Sequence, residues 1–403
     1  MRNLFKLTTL SLVTVTAIYA GGYKIPETST NAVALGAANI AHNQNNADAA
    51  YYNPAKMVFM SNENHIEADL MYIGLDKVNY KGTANGILTD ENSESEDFII
   101  PSMHYVSPSL GKNNVRVGVS IVAPGGLSKR WQGSEGIKTA EEFTLEIIEI
   151  NPTVAFKISD NVGFAVGFRA VYSSGVVKNS AAASRDLEGD DLNFGYNLAI
   201  AYTPMKELEF GLTYRSKVDL EEEGNAKLYI GDAKVYDGGA SVTVPLPATL
   251  SLAAAYTFSS DTTVELVYEK TYWSAYKTLD FNYVSTLTPI LVAPFDNPIE
   301  KDWKDTNTFR LGITQVIKDY TIMAGLVMDE SPIPNKTIGF ELPGTDTTSV
   351  SFGGRYKYSE KIDLGLSALY SMHDSRTVNN ESLNGEFSDG NVLIISAGLG
   401  YKF

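Results

Sequence analysis

The side chains best suited to catalysis or metal binding are few and scattered in this sequence. The four histidines lie in separate segments, at positions His42, His65, His104 and His373. Their spacing matches neither a metal-ligand motif nor a catalytic triad, whereas an active site needs a nucleophile, a base and an orienting group close together. The chain has no cysteine and so no disulfides. We therefore expect no enzyme activity, no metal site and no cofactor.

Apolar residues recur instead at every second position of many segments. In 192–202, 362–372 and 393–403, the apolar positions alternate with positions that are mostly small or polar. A strand with lipid on one face and a lumen on the other has this period of two. A soluble β-sandwich could also alternate, but it would bury its apolar faces between two sheets. The pattern therefore favours a transmembrane barrel.

Very short turns alternate with long polar connections along the chain, as in barrels with turns at one rim and loops at the other. The long connections fall near 76–95, 124–142, 175–190, 219–240, 284–302, 330–346 and 374–389. We predict an all-β fold, a transmembrane antiparallel barrel of about fourteen strands. The strands are expected near 63–74, 96–106, 114–123, 144–158, 161–174, 191–203, 207–218, 241–258, 262–282, 303–317, 320–328, 347–358, 362–373 and 390–403.

Both ends of the chain carry features of an exported protein. Residues 1–20 begin with Arg2 and Lys6, continue with a short apolar stretch and end in a small residue, as secretory signal peptides do. The terminal Phe403, two residues after Tyr401, resembles the C-terminal signal of outer-membrane proteins. The formal net charge of −16 makes nucleic acid a poor partner. We predict export to the outer membrane of a Gram-negative bacterium.

Several other segments carry more specific motifs. Residues 21–60 do not alternate, are rich in alanine and asparagine, and include Asn53-Pro54-Ala55 just before the first predicted strand. Further motifs follow in order at Gly126–Trp131, Ile150–Lys157, Tyr214–Val218, Leu246–Leu252, Trp303–Thr306 and Asp329–Pro334. In order and spacing this set resembles the FadL family of outer-membrane transporters, and the resemblance covers essentially the whole mature chain.

The resemblance implies a barrel over 61–403 that is plugged by a small hatch domain over 21–60. It also implies passive import of hydrophobic small molecules, with long-chain fatty acids as the first substrate class and aromatic or aliphatic hydrocarbons as the alternative. The protein would be a monomer in outer-membrane lipid and lipopolysaccharide, and its ligand would leave sideways through the wall. A general diffusion porin or a surface adhesin is a further alternative, although a hatch argues against an open pore.

Two segments are candidates for the gate that such lateral exit requires. The third strand runs into Pro124-Gly125-Gly126, where a proline that cannot donate to a ladder and two glycines could bend it. Gly118 is an alternative bend, and Pro124-Gly125-Gly126 could instead simply begin a loop. In the family reading, Asn53-Pro54-Ala55 lies against the wall opening as part of the hatch. Asn-Pro also commonly begins an ordinary turn.

Three basic residues are candidates for binding the headgroup of a fatty acid. Alternation places Arg169 on the lumen side, next to small residues that leave room beside it, and it places Arg310 on the same side of its own strand. Lys301 lies just before that strand, near where some family members carry a ligand-binding lysine. These cations could instead pair with lumen acids such as Glu265 and Glu269, as is common inside barrels.

Overall fold

Fourteen antiparallel strands close into one barrel, in which the last strand pairs with the first. The computed structural model describes residues 22–111 and 115–403, so the predicted signal peptide, 1–20, lies outside the described residues. The strands are β1 His65–Leu75, β2 Glu96–Val106, β3 Val115–Lys129, β4 Glu142–Lys157, β5 Val162–Lys178, β6 Ala183–Met205, β7 Leu208–Arg215 with Val218–Ile230, β8 Ala233–Leu246 with Thr249–Thr257, β9 Thr262–Thr271, β10 Thr306–Ile317, β11 Tyr320–Asp329, β12 Thr347–Lys357, β13 Ile362–His373 and β14 Val392–Lys402.

The predicted alternation of faces is confirmed in these strands. On β6, Phe194 and Tyr196 point outward and are 57% and 52% exposed, whereas Asn197 and Ala199, at positions of the opposite parity, face the lumen and are buried. Large apolar side chains also cover the outward faces of β9 to β14. The barrel therefore presents an apolar outer surface, as a wall in contact with lipid must.

The strands from β4 to β8 are longer than predicted at the rim that carries the long connections, here called the outer rim. Segments 175–190 and 219–240, predicted as loops, are largely strand. Their sequences stop alternating because backbone pairing continues above the apolar band, where no lipid selects the side chains. β8 is interrupted at Pro247, which has no N–H to donate to the ladder.

The connections at the outer rim fold over the barrel end. A four-stranded sheet combines residues from two loops, at Val78–Ala84, Ile87–Asn92, Arg376–Asn379 and Leu383–Asp389. Its buried Tyr80 packs edge-on against Phe340, with ring centroids 5.1 Å apart. Phe340 in turn contacts Trp131, whose indole N–H donates to the Phe340 carbonyl at 2.8 Å. This aromatic packing joins three different loops into a layer that covers the outer end of the barrel.

Residues 22–60 run through the barrel interior and are almost entirely buried. They form helix α1 (Thr30–Leu35), helix α2 (Ala49–Tyr52) and a 3₁₀ turn over Pro54–Phe59. The side chain of Ser29 caps α1 by accepting from the Ala32 amide, and α1 ends at Gly36 with φ of 56°. Polar caps suit so short a helix, which could not stand alone in water.

The barrel wall is shaped to receive this segment. A β-carbon at Gly325 would lie 2.6 Å from the Leu35 carbonyl oxygen, and one at Gly312 would lie 2.9 Å from the Ala38 oxygen. On β9, the carboxylate of Glu265 accepts the backbone amides of three successive residues at 2.7 to 2.9 Å, from Ile40, Ala41 and His42. The backbone of the segment therefore lies directly against glycines of the wall, and the Glu265 carboxylate holds three of its amides.

Adding one methyl group at Gly325 tests this fit. We expect Gly325→Ala to displace α1 and to lower the free energy of unfolding by about 1–3 kcal/mol, the usual result of overpacking. Gly175→Ala is the matched control, because a β-carbon there would meet its nearest neighbour, the Thr144 carbonyl oxygen, at an ordinary 3.4 Å. Denaturant unfolding in detergent measures both variants, and equal stability would contradict the proposed fit.

Candidate functional site

Among the cavities inside the barrel, two lie on opposite sides of the first described residues of the chain. The upper cavity lies nearer the outer rim. The lower cavity lies nearer the middle of the barrel. Residue Tyr23 borders the upper cavity, and its neighbours Lys24 and Ile25 border the lower one. The start of the described chain therefore separates the two spaces.

The upper cavity is lined mostly by apolar side chains from β3 to β8 and from the loops. Apolar members include Leu127, Phe143, Leu145, Val177, Leu187, Val242, Leu279, Phe281, Trp303 and Leu342. Such an apolar lining suits a chain-like or aromatic hydrophobic molecule. Its ionisable side chains include Lys301, Glu341 and Glu222.

Lys301, a candidate from the sequence, lines the upper cavity. Its ammonium group donates to Glu341 at 2.5 Å, and both side chains are nearly buried. Its backbone is also held, because its amide donates to the Lys277 carbonyl and its carbonyl accepts from the Thr337 hydroxyl. The lysine charge therefore reaches the cavity already balanced by a neighbouring carboxylate.

The floor of the upper cavity is the ring of Tyr23. It packs edge-on against Trp273, with centroids 4.7 Å apart, and lies beside Trp303 and Tyr276. Its hydroxyl donates to the Pro245 carbonyl on β8. The buried phenol therefore has a hydrogen-bond partner, as a buried tyrosine usually does.

The lower cavity brings together Arg169 and Arg310, which the sequence could place only on separate strands. Arg169 and Arg215 both donate to Glu149, at 2.9 and 2.5 Å. Arg310 and Lys24 both donate to Glu269, at 3.2 and 2.6 Å. Four cations thus share the carboxylates of Glu149 and Glu269 around this space, and Glu27 and Asp329 also lie close enough to interact with Arg310.

The wall opens where β2 and β3 separate. The two strands pair only between Met103–Val106 and Gly118–Ile121, at the rim opposite the outer rim. Beyond Ile121, alternation ends and residues 122–129 are all buried, so β3 bends inward from the lipid-facing wall. On its other edge, β3 shifts register against β4 between Val122 and Gly125, which leaves Ala123 and Pro124 as a bulge.

The predicted gate residues occupy different places along β3. Pro124, Gly125 and Gly126 lie within the strand rather than at the start of a loop. Gly118 pairs in register with Val106 on one side and Thr153 on the other. A β-carbon at Gly118 would meet Met57 and Ala50, so this glycine makes room for the segment inside the barrel.

The start of the described chain fills the place that β2 leaves. The Ile25 amide donates to the Pro124 carbonyl at 2.8 Å, and the Gly126 amide donates to the Tyr23 carbonyl at 2.8 Å. Closer to the outer rim, the loop before β2 lies beside the end of β3, where the Glu94 amide donates to the Arg130 carbonyl. Neither periodicity nor a motif marks residues 23–25 in the sequence, which is why sequence reasoning missed them.

Asn53-Pro54-Ala55 begins the 3₁₀ turn inside the barrel. The Asn53 side chain accepts from the Ala55 amide and donates to the carbonyls of Ile40 and Ile200. The Ala55 carbonyl lies against Gly163 of β5. The turn therefore ties the interior segment to β5 and β6, and residues 23–25 of the same segment pair with β3 beside the opening.

Known proteins are similar to this chain over nearly its whole length. The profile described as outer membrane protein transport protein (OMPP1/FadL/TodX) matches residues 10–403. The chain belongs to this family. The long-chain fatty acid transport protein of Salmonella typhi is 23% identical over 430 residues, covering 96% of this chain and 95% of that protein. Membership of this FadL family and the closed apolar barrel place the protein in the Gram-negative outer membrane.

Two solved structures share the fold. A Pseudomonas aeruginosa FadL homologue gives a TM-score of 0.82 at 18% identity, over 94% of this chain and 99% of that one. The Ralstonia pickettii toluene transporter TbuX gives 0.73 at 16% identity, over 93% and 98%. At these identities the likeness concerns the fold alone, so the ligand of this FadL-family chain must be argued from its own cavities.

The pH dependence of the interior segment tests how firmly it is held. Burial raises the pKa of the Glu27 carboxyl to about 7, although Arg310 acts in the opposite direction. Because the docked state favours the protonated acid, its stability is highest below the ordinary pKa near 4.5 and falls as pH rises through 7. We expect hydrogen exchange of the Ile25 and Thr28 amides to report docking weaker at pH 8 than at pH 5, by roughly 3 kcal/mol at most.

Glu27→Gln should remove this pH dependence, because glutamine does not titrate in this range. Glu63→Gln, at an exposed position in the connection to β1, should keep it. The same pH dependence in both variants would show that another group controls docking.

Proposed function

We propose that this protein imports hydrophobic compounds passively across the outer membrane, with long-chain fatty acids as the first substrate class. The observation that carries the proposal is the apolar upper cavity, which lies inside a closed barrel and close to a break in strand pairing. The name of the Salmonella typhi relative, a long-chain fatty acid transport protein, supports the same substrate class.

In this proposal, residues 22–60 act as the plug, or hatch. Their dense contacts with the wall leave cavities rather than an open channel. A water-filled route would keep an alkyl chain hydrated, at about 0.8 kcal/mol for each CH₂ group. The apolar upper cavity avoids this hydration, and the Asn53-Pro54-Ala55 turn keeps the hatch anchored to β5 and β6. A diffusion porin for sugars would need a wider, wetter lumen.

The lower cavity supplies the partner for a carboxylate headgroup. Arg169 and Arg310 lie there with Lys24 and Arg215, and the four cations share two carboxylates. A ligand carboxylate could take charge-assisted hydrogen bonds from this set. Lys301, whose charge is balanced by Glu341, would contribute less to headgroup binding.

Exit would follow the separation of β2 and β3. Residues 23–25 occupy it and are held to Pro124 and Gly126 by two backbone hydrogen bonds. Their displacement would join the cavities to the opening, and the ligand would pass directly into the bilayer. The rest of the wall stays closed and surrounded by lipid and lipopolysaccharide, so one monomer is sufficient.

Deleting Pro124 tests lateral exit. The deletion removes one residue from the bulge that lets β3 leave its regular register, so β3 should pair more fully with its neighbours and the opening should narrow. We expect uptake of radiolabelled oleate to fall about tenfold in cells without another outer-membrane fatty acid transporter. The measurement is the initial rate, normalised to folded protein in the membrane.

Deleting Pro204 is the matched control, because it also lies in a bulge, on β6 between Tyr202 and Met205. That bulge lies far from β2, so uptake should stay near the wild-type rate. Equal loss in both deletions, or none in either, would contradict exit at β3. Toluene uptake, measured in parallel, separates a carboxylate transporter from a hydrocarbon channel, which needs no cation.

A further inference from the structure

The carboxyl group of Glu222 is a polar feature of the upper cavity that the proposed function does not use. Glu222 lies on β7 and lines the cavity wall, where it is only 4% exposed. It lies over Gly175 of β5, where an added β-carbon would be 4.0 Å from the Glu222 carboxyl carbon. The residues on either side of it, Glu221 and Glu223, are exposed instead. Because side chains alternate in direction along a strand, Glu222 is the one of these three acids that points into the cavity.

Neither carboxylate oxygen of Glu222 makes a well-formed hydrogen bond among the described residues. The neighbouring Ser173 hydroxyl interacts with this carboxyl group, but the geometry falls short of a well-formed hydrogen bond. The charged groups that act on it are Asp190 and Asp191, which are also acidic. The cavity lysine, Lys301, is already paired with Glu341. A buried polar group left in this condition is costly unless something completes it.

A bound molecule with a hydroxyl group would complete it. As a carboxylate, Glu222 accepts hydrogen bonds, and as a carboxylic acid it both donates and accepts them. A hydroxyl satisfies either form and brings no charge. A ligand carboxylate would instead add another acidic group among Glu222, Asp190 and Asp191, so one of the groups would have to be protonated.

We propose that Glu222 makes the upper cavity selective for an uncharged amphiphile, an alcohol or phenol whose hydroxyl hydrogen-bonds to this carboxyl group. The inference rests on the proposed function, in that the upper cavity must hold the transported molecule. The two cavities then bind different parts of a ligand. The upper cavity, with Glu222, binds neutral groups and alkyl chains, whereas a carboxylate is stable only beside Arg169, Arg215 and Arg310 in the lower cavity.

Ten-carbon ligands test the inference, since they are short enough to be held by the upper cavity alone. Purified full-length protein in maltoside micelles at pH 8 is titrated with 1-decanol, decanoate and decane, and tryptophan fluorescence reports binding near Trp303. We expect the wild type to bind 1-decanol about tenfold more tightly than decanoate. Partition into micelles is the same for every variant, so changes in this ratio between variants come from the protein.

Glu222→Gln should reduce the preference for 1-decanol over decanoate to about threefold or less. Glu222→Leu should bind decane at least as well as the wild type and 1-decanol less well. Glu223→Gln is the matched control, because it removes the same charge from the adjacent exposed position and should leave the wild-type ratio unchanged.

Binding of decanoate to the wild type as tightly as 1-decanol would overturn the role of Glu222 while leaving import intact. The same ratio in Glu222→Gln and Glu223→Gln would do so as well. If none of the three ligands bound the wild type, the upper cavity would not be the ligand site, and the proposed function would fail together with the inference.

Discussion

A membrane-embedded sheet has no water to hydrogen-bond its free edges, so each backbone amide and carbonyl in the wall needs a partner within the protein. Most of the fourteen strand junctions meet this need through long ladders, although the ladder between β6 and β7 is also interrupted, between the Asn197–Arg215 and Asp190–Glu223 pairs. At the junction of β2 and β3 the ladder stops after four residue pairs. The rest of the architecture can be understood from how that break is managed.

The break is covered from inside rather than from the membrane. Because β3 bends inward, its free edge faces the interior, where the backbone of Tyr23 and Ile25 pairs with Gly126 and Pro124. The same few residues separate the apolar cavity from the cationic one. A single short stretch of chain therefore pairs with the free backbone groups of β3, separates the two cavities and closes the wall. Its displacement would change all three together.

Charge is distributed to match this division. The lower cavity holds four cations around Glu149 and Glu269, whereas the upper cavity holds a balanced Lys301–Glu341 pair and Glu222, which has no basic partner. Because electrostatic interactions are strong in surroundings of low polarity, such placement separates neutral from anionic groups more sharply than it would in water. The barrel provides the cavities, and these few charged side chains determine which ligand groups each cavity favours.

The sequence by itself determined the barrel, the number of strands and the lumen positions of Arg169 and Arg310, because lipid on one face and lumen on the other impose a period of two on the residues. It also marked Pro124-Gly125-Gly126 as unusual. Only the tertiary structure decided which side chains meet. Arg169 and Arg310 line one cavity, residues 23–25 lie beside β3, and Glu222 lines a cavity without a basic partner. These placements depend on strand register and on the path of a non-periodic segment. Both are set by contacts between residues far apart in the chain, which local patterns do not encode.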